Sequence, residues 1–470
     1  MPPPIVCNTS SFLGTAKTRA ILLSVRGLAF ALLFLLARAA RADDTHYQDY
    51  ALGGRASGIG GAYGAIADDP SGLFYNPAGI VDTHRTTVDV ETSLYGVELN
   101  WRQRTPFPLR ELRQFSPADL NVIPGDAGAI YGLGSRTLQG APLAWGFDFS
   151  VPSYHALTVH QTSVDAQQNS VWFDRSALDR TFAAALGLAM RTSTLVSFGV
   201  SAVASVRSFQ QEERITVRGS KTFEYTTDAV QFENVQAYLI AGAKVAWETW
   251  LFGATLGSPT VKLHETGTID IVRVQDGSRF QRFPTPASVH SDTPQPLFLR
   301  LATAYFRPKS WTVSAQATLH LPVNYNRLAV DAPDAESATL LQQTIAVSGE
   351  VRRRMVVDFN AGMDVLLTQR YACSFGAFTD FSSAPALETV AGSDRLTDGS
   401  SRLPHVNLFG VTASGGLLGP NSLTRFGLSV SYGRGEDAVP GPIEGSRRAD
   451  RRVEVNQLFG YFFLSSTFRY

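Results

Sequence analysis

Two adjacent carboxylates, Asp68 and Asp69, a glycine-spaced run at Gly58, Gly60 and Gly61, and eight scattered histidines are the residues whose types could carry chemistry. Spacing decides against most of it. Asp68 and Asp69 stand side by side in front of Pro70, where short acidic side chains cap a turn. A dinucleotide fingerprint opening at Gly58 and Gly60 needs glycine at position 63, which is Tyr63, and a strand in front of it. No Gly-Lys-Ser/Thr follows, there is no Gly-x-Ser-x-Gly elbow, and the histidines form no His-Glu-x-x-His. His155 and His160 read as a solvated pair in a connection. The sequence therefore points to no enzyme, no cofactor and no metal. Two cations remain of interest, Lys244 and Arg300, each in the middle of an alternating run. A cation facing an apolar lumen can hold a carboxylate head through a strong charge-assisted hydrogen bond, which makes Lys244 and Arg300 ligand-binding candidates.

The elements that would position these cations are strands with a period of two. In 143 to 151, Leu143, Trp145, Phe147, Phe149 and Val151 share one face, and Ala144, Gly146, Asp148 and Ser150 the other. In 237 to 246, Lys244 falls opposite Leu239, Ala241 and Val245, and in 297 to 305 Arg300 falls opposite Leu299 and Leu301. Residues 356 to 367 set Asp358, Asn360 and Asp364 against Val357, Phe359 and Met363. A cation on a lipid face would cost about 2–4 kcal/mol near the midplane, so the mid-strand charges are expected to face inward. Fourteen such strands are expected, roughly 86–101, 126–136, 142–152, 181–191, 195–208, 233–247, 249–258, 297–306, 310–321, 356–368, 371–380, 405–416, 423–434 and 456–470. A further candidate at 342–353 would make the number odd and is excluded by parity. Long connections (102–125, 153–180, 209–232, 259–296, 322–355, 381–404, 435–455) alternate with tight turns. Trp172, Phe173, Phe280 and Phe283 in two of these connections are candidates for hydrophobe capture. The fold class expected is all-β: a transmembrane antiparallel barrel.

Between a leader and these strands lies 53–80, GGRASGIGGAYGAIADDPSGLFYNPAGI. Its glycines allow tight folding and close approach, Leu73, Phe74 and Tyr75 supply an apolar plug, and the Asp69-Pro70 and Asn76-Pro77 steps fix turns. On composition alone a flexible linker is equally open. The ordered residues Gly54, Arg55, Ala56, Gly58, Gly60, Gly61, Ala62, Ala67, Asp68, Asp69 and the Asn76-Pro77-Ala78-Gly79 box resemble the N-terminal hatch of the FadL-like outer-membrane transporters. Val356 to Pro385 resembles a late hairpin of the same family. The resemblance implies a hatch inside the lumen and uptake of long-chain fatty acids or aromatic hydrocarbons. It also implies that the closing strand, with Phe468 and Tyr470, is an assembly signal read by the barrel assembly machinery.

Lys17, Arg19 and Arg26 precede an apolar run from Gly27 to Ala37, and Ala40-Arg41-Ala42 stands before Asp43, the layout of a signal peptide. The run is too short for a membrane helix, which needs about 20 residues. The expected organisation is a signal peptide over 1–42, a hatch over 43–85 and an outer-membrane barrel over 86–470. Charged residues make up 17%, and mean hydropathy is −0.02. Such a near-neutral average fits strands that alternate lipid-facing and lumen-facing residues better than apolar helices. A formal net charge of zero gives no sign of a nucleic-acid partner, and Cys373, alone after cleavage, forms no disulfide framework. The expected function is passive uptake of hydrophobic small molecules across the outer-membrane lipid, most simply long-chain fatty acids. The alternative is a structural or secretion-associated barrel without a small-molecule substrate; an outer-membrane lipase lacks a visible nucleophile.

Overall fold

The computed structural model describes residues 46–47, 50–83, 86–103, 119–121, 125–134, 142–164, 169–219, 223–275, 279–283, 289–308, 310–330, 350–397, 403–439, 443–444, 447–448 and 451–470. The proposed signal peptide lies outside them. They belong to one compact unit spanning 40–470.

Strands account for most of this unit, because β-branched and aromatic residues alternate with small polar ones. The barrel strands are β1 (Thr87–Gln103), β2 (Ala127–Gly134), β3 (Leu143–Val164), β4 (Ser170–Arg191), β5 (Val196–Arg218), β6 (Phe223–Trp247) and β7 (Trp250–Gly257). They continue with β8 (Phe298–Arg307), β9 (Trp311–His320), β10 (Val356–Leu366), β11 (Tyr371–Asp380), β12 (Leu408–Leu418), β13 (Ser422–Val439) and β14 (Arg451–Arg469). Each pairs antiparallel with the next, and β14 returns to β1 from Thr87↔Arg469 to Gln103↔Glu454, closing a fourteen-strand barrel. Closure leaves the barrel wall, among the described residues, without a first or last strand, the condition for crossing a bilayer with strands.

Side-chain parity matches the sequence reading. Leu239, Leu301, Val411, Phe426 and Phe462 stand exposed on the outside, while Lys244, Arg300, Gln316, Thr412 and Arg425 are buried inside. The exception is Val151, which is buried, because a register shift between Ser150 and Ser153 breaks the alternation there. Two expected connections are strand instead. Residues 153–164 and 170–180 continue the β3–β4 ladder, with His155 opposite Asp179 and His160 opposite Asp174, so these histidines are not in a loop. Residues 209–218 and 223–232 likewise continue β5–β6. These hairpins run past the length needed to span lipid, and β6 is backed there by a strand at Val261–Gln275. Trp172 is exposed on β4, and Phe280 and Phe283 lie on the short strand Arg279–Phe283. The side chains of Phe173, Phe280 and Phe283 lie outside the described residues. Of the excluded segment 342–353, residues Glu350–Arg353 form a two-stranded sheet with Val323–Asn326, separate from the barrel.

Residues 50–83 fill the lumen. The chain makes two short helices, α1 (Gly54–Gly58) and α2 (Gly72–Tyr75), and a 3-10 turn over Pro77–Asp82. Ile59, Tyr63, Leu73 and Ile80 are fully buried against Ile130, Ala185, Val203 and Ile240 of the wall. The segment is a packed hatch and not a linker.

Candidate functional site: a latched hatch beneath a cationic cavity

Close approach of two backbones builds the hatch seat. Gly60 and Gly61 adopt φ of +64° and +79°, which side-chain-bearing residues rarely take. The wall answers with glycines of its own. A Cβ at Gly376 would stand 2.3 Å from Gly60 N, and one at Gly253 would stand 2.3 Å from Gly64 O. Asn76 then ties the parts together. Its Nδ2 donates to Gly64 O (2.9 Å) and to Ala243 O of β6 (3.1 Å), and its Oδ1 accepts from Ala78 N (3.2 Å). Pro77 opens the 3-10 turn, where its missing N–H leaves no donor unsatisfied. The Asn76-Pro77-Ala78-Gly79 box is therefore a turn and a wall anchor at once.

Two sets of ions latch the hatch. Arg55 Nη1 pairs with Asp68 (2.8 Å) and its Nε with Asp364 of β10 (3.2 Å), and Asp364 is shared with Arg425 of β13 (3.1 Å). The Tyr63 hydroxyl donates to Asp68 (2.8 Å). Burial alone would raise the Asp68 pKa, yet the Arg55 guanidinium beside it holds it well below the usual carboxylate range. Burial, reinforced by the negative Asp68, pushes the Tyr63 phenol up. Asp69 does not share the ion pair: it accepts from Ser71 Oγ (2.6 Å) in the turn toward α2. At the second latch, Lys244 Nζ pairs with Asp82 (2.7 Å) and donates to Ile66 O (2.5 Å), and Arg191 also pairs with Asp82. Lys244, one of the two ligand-binding candidates, is thus occupied by the hatch.

Arg300 is placed differently. Its Nη1 donates to Phe74 O (2.9 Å) and Tyr75 O (2.8 Å) at the end of α2, and no carboxylate among the described residues pairs with it. The rings of Tyr75 and Phe298 lie 5.2 and 5.4 Å from its guanidinium. With Tyr47 and His320, stacked at 4.0 Å, these residues line a cavity of about 100 Å³ above the hatch. This cavity opens at the ends of β8–β11 that carry the long connections. A second space of about 450 Å³, lined by Asp68, Asp82, Thr83, Asn421 and Arg469, lies at the opposite end, beside the tight turn from β12 to β13. The hatch separates the two. Sequence reasoning did not single out Asp364 and Arg425 as latch partners. Their only signal was the inward parity of their strands.

The architecture defines a class: a closed transmembrane barrel whose N-terminal segment plugs the lumen. No protein-family model matches the chain, and no curated protein matches it in sequence. Solved structures do match its fold. A FadL homologue from Pseudomonas aeruginosa superposes with a TM-score of 0.56 at 11% identity, covering 90% of this chain and 99% of that one. The P. putida toluene transporter TodX gives 0.57 at 13%, covering 91% and 99%. The monoaromatic hydrocarbon channel CymD gives 0.51 at 12%, covering 89% and 97%. The fold is that of the FadL-like barrels over about nine tenths of the chain.

Proposed function

We infer that the protein is an outer-membrane channel for passive uptake of small hydrophobic molecules, with the hatch as its gate. The observation that carries this reading is the cavity above the hatch. It brings the rings of Tyr47, Tyr75, Phe298 and His320 around one buried guanidinium that no carboxylate among the described residues pairs with, although Asp358 and Asp380 also line it, and a second space lies at the opposite end of the lumen. Buried charges are normally paired, so an unpaired one in an aromatic pocket marks the place for an anionic head. Long-chain fatty acids meet that requirement, as do aromatic carboxylates. An engineered apolar cavity of about 150 Å³ binds benzene. A space of about 100 Å³ is smaller than that, so it takes a head group, and a ring or longer tail extends toward the open end. The FadL-like fold of solved hydrocarbon transporters supports the same reading.

Titration calorimetry of the purified protein with palmitate, benzoate and toluene tests it. Arg300→Ala is expected to weaken the two carboxylates by about 1.5–3 kcal/mol, the range for a hydrogen bond to a charged group, and to leave toluene unchanged. Failure of wild-type protein to bind any of the three would leave a barrel without a small-molecule substrate.

A further inference from the structure

The hatch meets the wall on two sides that differ in charge. Toward β10 and β13 it is held by the Arg55–Asp364–Arg425 set. Toward β1–β3 it meets acids. Asp89 of β1 is in register with Gly128 of β2, and Gly128 with Asp148 of β3. One step further along, Glu91 N donates to Asp126 O (2.8 Å) where Asp126 leads into β2. Asp89, Glu91, Asp126 and Asp148 are 2%, 6%, 5% and 1% exposed, and Asp69 of the hatch is 3% exposed. The hatch sits directly on them. A Cβ at Gly128 would stand 2.6 Å from both Pro70 Cβ and Asp148 Oδ1, and one at Gly53 would lie 2.3 Å from Ser71 Oγ and 3.7 Å from Asp126 Oδ2.

Hydrogen bonds satisfy only part of this cluster. Asp89 accepts from Thr467 (2.8 Å), Glu91 from Ser57 (3.3 Å) and Asp69 from Ser71 (2.6 Å). The carboxyl of Asp126 faces that of Glu91 and Asp148 faces the Phe149 N–H, and beyond these neighbours no donor among the described residues satisfies either group. The other titratable groups that face the cluster are Tyr63 and Asp68 of the hatch and Tyr461 of β14. The cations directed at it, Arg55 and Arg425, are held by Asp68 and Asp364. Glu91 and Asp126 face each other on adjacent strands, where side chains lie about 5 Å apart at Cβ, while Asp89 and Asp148 flank them with Gly128 in between. Ionised carboxylates at that spacing, buried without a cation, are strongly unfavourable.

We propose that this carboxyl cluster is a proton-operated catch. Protons shared across it seat the hatch on β1–β3, and their loss as pH rises pushes the hatch off that wall while the ion pairs to β10 and β13 retain it in the lumen. The sign follows from the hatch member. Burial, and then the negative Asp68, raise the Asp69 pKa, so the seated state binds the proton more tightly than a released one. Its contribution to seating is complete below the ordinary value of about 3.9 and is lost as pH climbs through the raised one. Asp68 is held low and stays ionised throughout that window, so the Arg55 latch does not release. The inference is independent of which ligand is carried.

The test is single-channel conductance of the full-length protein in planar bilayers between pH 5 and 8. Basal conductance should rise with pH, the open-to-closed ratio by up to about tenfold for each unit separating the seated and released pKa values. Asp126→Asn with Asp148→Asn mimics the protonated carboxyls and should stay closed at pH 8. General damage to the packing would instead open the channel at every pH. Each single amide variant should give an intermediate profile, and Asp68→Asn should leave the pH step in place. A flat wild-type profile would overturn the proposal whether or not the variants fold. So would an unchanged pH step in amide variants that retain heat-modifiable migration.

Discussion

At the scale of single residues, the hatch is held by backbone contact and by a few ions that serve two partners each. Gly253 and Gly64 touch through a carbonyl, and a Cβ at Gly253 would also stand 2.9 Å from Asn76 Nδ2. Backbone cannot give way as a flexible side chain can, so Gly253→Ala should unseat this part of the hatch. The expected result is raised basal conductance in bilayers with heat-modifiable migration of the barrel unchanged. Arg55 is the other sensitive point, because its loss leaves the half-buried Asp68 beside Tyr63 without a cation. Removing one partner of a fully buried pair costs about 3–5 kcal/mol; with the two side chains 21% and 28% exposed the cost is smaller, and Arg55→Ala should still lower the denaturant midpoint for exposure of the hatch. With the Asp68 pKa held below its ordinary range, the latch is intact above about pH 4 and weakens only as pH falls through the depressed value. Conductance rising in strong acid would report that separately from the opposite slope of the carboxyl cluster. The inward parity of Lys244 and Arg300 was legible in the sequence, but not their different tasks. Lys244 meets Asp82 and Ile66 and Arg300 meets α2, contacts that span 162 to 226 residues of chain and exist only once the barrel has closed.

At the scale of elements, alternation located the barrel strands because an inner and an outer environment impose a period of two on every one. It failed at their ends for the same reason. Past the membrane β3–β6 no longer face lipid on one side, so polar runs such as Gln210 to Glu213 carry no apolar row and read as connections. The hatch was legible through residues with special backbone roles. Gly60 and Gly61 sit at positive φ, and Asn76-Pro77 makes the turn its spacing implies. The Arg55–Asp364 contact, across 309 residues, was not legible. Replacing Asn76 and Pro77 together by Ala removes the bonds to Gly64 and Ala243 and frees the turn. The barrel should still assemble, since its ladder does not pass through the hatch, and basal ion conductance should rise. Deleting 53–80 should raise it further. Conductance equal to the parent in both would mean that the segment does not gate the lumen.

At the scale of the whole molecule, the apolar exterior and the polar lumen make one prediction about assembly. Leu301 is exposed on β8 between Arg300 and Ala302, and Leu301→Arg puts a cation on the lipid face. The expected loss of barrel stability is about 2–4 kcal/mol near the midplane, measured by denaturant folding in lipid vesicles. Tyr470, whose N–H donates to Thr86 O beside the closing ladder, ends the strand that completes the barrel. We propose Phe468 and Tyr470 as its assembly signal. The central claim, that hydrophobic molecules pass this lumen under control of the hatch, is tested most directly by uptake into intact Gram-negative cells that lack their own hydrophobe channels. A lipopolysaccharide surface there resists unaided entry. Radiolabelled palmitate, benzoate and toluene should accumulate faster in cells carrying the wild-type protein than in empty-vector cells, and Arg300→Ala should slow the carboxylates selectively. Uptake of all three at the empty-vector rate, with the barrel folded in the outer membrane, would contradict the account.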